Sequence, residues 1–101
     1  MSSGTQHSVA EKTRETVKEP PRYAVILLND NYSTFDFVVK VLVEIFQKSP
    51  GEAIYITNDV HRKGRGMCGL YSREIAETKV EMVEQMSRAD GFPLKCIMEK
   101  N

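Results

Sequence analysis

The chain has 101 residues, 41% of them hydrophobic, with 14 basic and 14 acidic residues and a formal net charge of zero. That fits one soluble globular domain rather than two, and the absent basic excess argues against a general binder of nucleic acid or of a membrane surface. No apolar run approaches the roughly 20 residues of a membrane span, and the polar N-terminus lacks the pattern of a secretory signal. Cys68 and Cys96 are too few for a disulfide framework and lack metal-site spacing. A reduced, cytoplasmic protein without a metal or other cofactor is the expectation.

Residues 1–22 are dominated by Ser, Thr, Gln, Glu and Lys and end in Pro20-Pro21. Such a stretch cannot bury enough apolar surface to offset its ordering entropy, so a flexible extension is expected ahead of a core domain at 23–101. Tyr23 to Leu28 is apolar on both faces and reads as an inner strand. Ser33 is the expected N-cap of a first helix, with Asp36 three residues on. Phe37, Val38, Val41, Leu42, Ile45 and Phe46 then recur at helical spacing through about Lys48. Ser49-Pro50-Gly51-Glu52 is a capping box with Pro at the first helical position. It opens a second helix with Ala53, Ile56 and Val60 on one face, ending near Gly64. Arg65 to Tyr71 reads as a short, Gly-containing strand. Ser72 caps a third helix with Ile75, Ala76, Val80, Val83 and Met86 inward, and Leu94 to Glu99 alternates as a last strand. The order β-α-α-β-α-β predicts an α/β (α+β) two-layer sandwich, a three-stranded antiparallel sheet facing three helices.

The turn after the first strand, Leu28-Asn29-Asp30-Asn31-Tyr32-Ser33-Thr34, gathers polar groups that neither strand nor helix needs for packing. Asn and Asp are common turn formers, and they are also costly to bury without a partner. If the second helix packs beside the end of the first strand, His61 reaches this turn. Asn29, Asp30 and His61 together suit a cationic amine better than an acyl transfer, because no nucleophile lies nearby in sequence. The plainer alternative is that His61 belongs with Arg62 and Lys63 to a charged helix C-terminus, where positive charge is favoured. Phe35, Val38, Thr57, Val60 and Leu94 either floor a small pocket beside the polar cluster or are ordinary core. The basic run His61 to Arg65 is explained by helix-end charge and a Gly cap more simply than by RNA or phosphate. A thiol enzyme needs an activated thiolate, and both cysteines fall within strand patterns that favour burial. Glu74, Thr78 and Lys79 give the third helix a charged outer face, either solvated or available for docking.

Five segments in order, VILLNDNYS (25–33), DVH (59–61), CGLYS (68–72), AETKVEMV (76–83) and PLKC (93–96), resemble the ClpS family of bacterial adaptors that hand N-degron substrates to a Clp-type AAA+ unfoldase. The resemblance covers the chain from about Tyr23 onward. It implies a non-enzymatic adaptor with a fold like that of the ribosomal stalk protein C-terminal domain. In this family a pocket takes a substrate's first residue, usually Leu, Phe, Tyr or Trp. By the resemblance, Asn29, Asp30 and His61 stand at positions that bind the free α-amino group. Val38, Val60 and Leu94 stand at apolar pocket positions, and Phe35 is at a gate where Met is common. Thr57 stands where Met is also frequent, and Asn31 where a second acidic residue is frequent. Glu74 and Lys79 stand at the contact with the N-terminal domain of an unfoldase of the ClpA or ClpC class, and the N-terminal extension is implied to engage that unfoldase during hand-over. The competing expectations are a small protein-interaction domain of the same fold without N-degron recognition, and a thiol or metal-dependent hydrolase.

Overall fold

The computed structural model describes residues 19–101, so most of the predicted extension, residues 1–18, lies outside the described residues. The elements follow the predicted order: β1 (Tyr23–Leu28), α1 (Phe35–Glu44), α2 (Pro50–Lys63), β2 (Arg65–Tyr71), α3 (Arg73–Asp90) and β3 (Lys95–Lys100). The sheet order is β2-β1-β3, with both pairings antiparallel. β1 is therefore central, which is why Ala24 to Leu27 are all buried and why its residues need not alternate with polar ones. One core cluster joins Val25 and Leu27 of β1 with Phe37, Val38, Val41 and Leu42 of α1, Ala53 and Val60 of α2, and Ala76 and Val83 of α3.

The caps expected for α2 and α3 are present. Ser49 accepts from the Glu52 amide at 3.2 Å while Glu52 reaches back to the Ser49 amide at 3.4 Å, closing the capping box. Ser72 accepts from the Ile75 amide. α2 ends at Gly64, whose left-handed φ of 87° an L-residue with a side chain would hold at a cost.

Three local expectations are corrected. The N-cap of α1 is Thr34, whose hydroxyl accepts from the Phe37 amide at 3.1 Å; Ser33 is instead held by Asp30. α1 ends at Glu44 rather than near Lys48, because Gln47 takes a left-handed φ of 51° and turns the chain. The last turn of α1 carries no basic residue of its own; Lys79 of α3 supplies one, donating to the Ile45 carbonyl and, at 3.2 Å, to Gln47 Oε1. Ile75, expected inward, is 50% exposed, because α3 turns Ala76, Val83 and Ser87 toward the core.

β2 carries an irregularity that the sequence pattern did not announce. Val25 pairs with Gly69 but Ile26 pairs with Met67, so Cys68 is the extra residue of a bulge. The alternation shifts there. Met67 and Leu70 both face solvent, and Tyr71 comes round to the helix side, its ring centroid 6.4 Å from that of Phe46 and 5.9 Å from the Lys79 ammonium.

Candidate functional site

β1, the turn that follows it and the end of α2 meet at one point. The Asn29 amide donates to the Gly64 carbonyl at 3.0 Å, tying the first residue after the strand to the C-cap of α2. This close approach depends on Gly66. A Cβ there would stand 2.7 Å from Val60 Cγ2 and 3.1 Å from the Ile56 carbonyl oxygen, so only glycine lets α2 lie this near β2. The last turn of α2, with His61, is thereby brought to the polar turn.

Within the turn, Asp30 acts as its own scaffold. Its Oδ1 accepts from the Tyr32 and Ser33 amides, both at 2.7 Å, and its Oδ2 accepts from the Ser33 hydroxyl at 2.7 Å. Partial burial pushes the carboxyl's pKa up, but the Ser33 hydroxyl, the two amides and the nearby His61 outweigh it and leave Asp30 below the ordinary carboxylate value of 3.8. A carboxylate with a spare lone pair on Oδ2 and a full negative charge is thus held rigidly at the surface. Most of Asp30's acceptor capacity builds the turn, and its charge is what remains to act outward.

His61 is oriented by its own helix. Its Nδ1 lies 3.0 Å from the Thr57 carbonyl oxygen, one helical turn back. A carbonyl only accepts, so Nδ1 carries the hydrogen, and Nε2 is left without a partner among the described residues. In its neutral form the ring offers an acceptor at Nε2. The Phe35 ring stacks obliquely beside it, with centroids 5.6 Å apart and planes inclined at 33°. Asn29 is exposed, and its side chain has no hydrogen-bond partner among the described residues.

Val38, Thr57, Val60 and Leu94 are buried, and Phe35 is partly exposed at 36%. Val38, Val60 and Leu94 belong to the one core cluster. The Thr57 hydroxyl donates to the Ala53 carbonyl at 2.7 Å, so this buried polar group is satisfied within α2. The structure thus brings Asn29, Asp30, Phe35 and His61 together at the surface.

Four contributions escaped sequence reasoning: the Thr57 carbonyl, the Gly64 carbonyl, the space at Gly66 and the Ser33 hydroxyl. Only Gly64, a glycine just past a helical pattern, carried a local signal of its role. Glu74 is exposed on α3. Lys79, one turn further, is partly buried and already bonded to the end of α1.

The cysteines are not poised for chemistry. Burial, with the Cys96 thiol nearby, pushes Cys68 far above the ordinary thiol value, and burial pushes Cys96 up to about 12. Neither forms a reactive thiolate near neutral pH. Among the described residues no group of three or more His, Cys, Asp or Glu side chains could hold a metal ion, and no helix is long and apolar enough to cross a membrane.

The family model of the ATP-dependent Clp protease adaptor protein ClpS matches residues 18–97. The chain belongs to the ClpS family. It is 55% identical over 86 residues to the ClpS adaptor of Oleidesulfovibrio alaskensis, covering 85% of this chain and 83% of that one. It is 46% identical over 100 residues to the ClpS adaptor of Wolinella succinogenes, covering 99% and 98%. Among solved structures, Agrobacterium tumefaciens ClpS2 bound to L-phenylalaninamide superposes with a TM-score of 0.79 at 34% identity, covering 82% of this chain and 100% of that one. The resemblance read from the five motifs and the predicted three-helix, three-stranded fold therefore both hold. Like its ClpS relatives, the chain is an adaptor of the ATP-dependent Clp protease.

Proposed function

We propose that the site at the end of β1 reads the N-terminal residue of N-degron substrates, which this adaptor delivers to a Clp-type AAA+ unfoldase for proteolysis. The observation that carries the reading is the gathering of an ionised Asp30, an Nε2 acceptor on His61 and the open Asn29 side chain at the end of β1. An α-ammonium group has three hydrogens to donate and a positive charge to neutralise. His61 Nε2 and the Asn29 side-chain oxygen accept from it directly. Asp30 contributes its field and the spare lone pair on Oδ2, which is stronger in a partly dry site than in bulk water. An acetylated N-terminus has no charge and a single N–H, so it leaves these acceptors unsatisfied. The side chain of a first Leu, Phe, Tyr or Trp enters against Val38, Val60, Leu94 and the Thr57 methyl, with Phe35 as a gate whose rigid ring excludes β-branched residues by shape. A protein structure related to this one, ClpS2 of A. tumefaciens, holds L-phenylalaninamide, which carries a free α-amino group and an apolar side chain.

The remaining roles follow the same reading. The exposed carboxylate of Glu74, with Lys79 behind it, meets the N-terminal domain of an unfoldase of the ClpA or ClpC class in the cytoplasm. Residues 1–22 act in hand-over rather than in recognition, and no step of catalysis belongs to the adaptor itself. Fluorescence anisotropy with a labelled Phe-starting peptide tests the central claim: the free amine binds and its N-acetylated counterpart does not. Equal binding of the two would overturn it.

A further inference from the structure

A peptide whose ammonium group rests on the turn must lead its next residues away across the neighbouring surface. A groove of about 410 Å³ is lined by Asn29, Asp30, Asn31 and Tyr32 of the turn, by Pro93 just ahead of β3 and by Lys95 at its start. Of its lining residues only Asp30 and Lys95 carry charge. An ammonium group bound beside Asp30 answers that carboxylate, and Lys95 is then the groove's one uncompensated charge. Leu28, which also lines the groove, pairs with Arg65 on one side and with Lys95 on the other, so a cation flanks β1 on each edge. Arg65 is taken by Glu99 at 2.8 Å. Lys95 is exposed and makes no ion pair with any described residue. Tyr32, 76% exposed, and Pro93 supply flat apolar walls for the stem of a side chain.

We propose that this groove is a second subsite, in which Lys95 selects substrates with an acidic side chain at their second or third residue. The proposal rests on Asn29, Asp30 and His61 being the amine site. It adds a sequence preference beyond the first residue, set by continuity with that site and by charge complementarity. An exposed ion pair of this kind changes affinity by only about two- to five-fold, so the subsite ranks substrates and does not admit or exclude them.

The test is competition anisotropy with four peptides that differ only at their start: Phe-Gly-Gly, Phe-Glu-Glu, Phe-Lys-Lys and N-acetyl-Phe-Gly-Gly. The expected result is that Phe-Glu-Glu competes about two- to five-fold better than Phe-Lys-Lys, that the difference shrinks as salt is raised, and that Lys95→Glu reverses the order. An equal ranking of the two charged peptides, or a preference that Lys95→Glu leaves unchanged, would overturn the subsite while Phe-Gly-Gly still binds and its acetylated form does not. If Phe-Gly-Gly and its acetylated form compete equally, the amine site itself is wrong and the subsite falls with it.

Discussion

His61 and Thr57 stand one turn apart on α2, and the Thr57 carbonyl accepts the imidazole Nδ1–H across 3.0 Å. The carbonyl has a second lone pair beyond the one its helix uses, so this bond fixes the tautomer without breaking α2. Removing the ring leaves a bound ammonium one acceptor short. His61→Ala is expected to weaken binding of a Phe-starting peptide by about 1–3 kcal/mol while barely moving the melting temperature, because the ring is exposed. Titration calorimetry and thermal denaturation of the same variant check the two halves.

Asp30 joins two jobs that a pair of variants separates. Asp30→Asn keeps an oxygen for the Tyr32 and Ser33 amides and loses the charge; Asp30→Ala loses both. The first is expected to weaken peptide binding with little loss of stability, the second to lower both. The pH dependence follows from the carboxyl's lowered pKa, below its usual 3.8. A group whose folded value lies below its unfolded value stabilises the fold at higher pH, and that contribution disappears as pH falls from about 3.8 through the lowered value. Urea denaturation at pH 7 and pH 3 should show a smaller acid loss in Asp30→Asn than in the parent chain.

Gly66 is where α2 touches the sheet. Gly66→Ala places a methyl group 2.7 Å from Val60 Cγ2 and 3.1 Å from backbone at Ile56. Overpacking of this kind costs about 1–3 kcal/mol. Because Val60 immediately precedes His61, peptide affinity should fall along with the urea midpoint. An unchanged midpoint would mean that α2 yields without strain.

Lys79 ties α3 to the end of α1 through Ile45 and Gln47 and lies over the rings of Phe46 and Tyr71. Lys79→Met keeps the stem and removes the ammonium. It should cost about 0.5–2 kcal/mol of stability, the scale of a helix-end charge together with its hydrogen bond. Glu74→Gln, on an exposed side chain, should leave stability unchanged. Calorimetry of both variants beside an unfoldase-binding assay separates a docking contact from a loosened helix.

The parts of this fold that were legible in the residues are those decided within one turn of chain. Ser49-Pro50-Gly51-Glu52 and Ser72 announce their helices because a cap needs only its own next three residues. The apolar run at Tyr23 to Leu28 announces a central strand for a similar reason. Ser33 and Thr34 were harder to tell apart, since both can cap; Asp30, three residues earlier, takes the Ser33 hydroxyl and so decides for Thr34. The early end of α1 depends on the left-handed turn at Gln47, which its residue type does not announce, and the exposure of Ile75 on how α3 rolls against the sheet. The polar trio was visible as residue types. Its geometry was not, because the Thr57 and Gly64 carbonyls and the room at Gly66 belong to backbone, which a pattern of side chains does not report.

The bond from the Asn29 amide to the Gly64 carbonyl closes the site between segments far apart in the chain. Contacts of that separation form late, after the entropy of closing the intervening loop has been overcome. On the proposed reading of the site, a newly made chain that has helices but not this closure holds no reader of N-termini, although every residue of the reader has already been synthesised. The adaptor's own folding therefore sets the moment at which it begins to sort its clients.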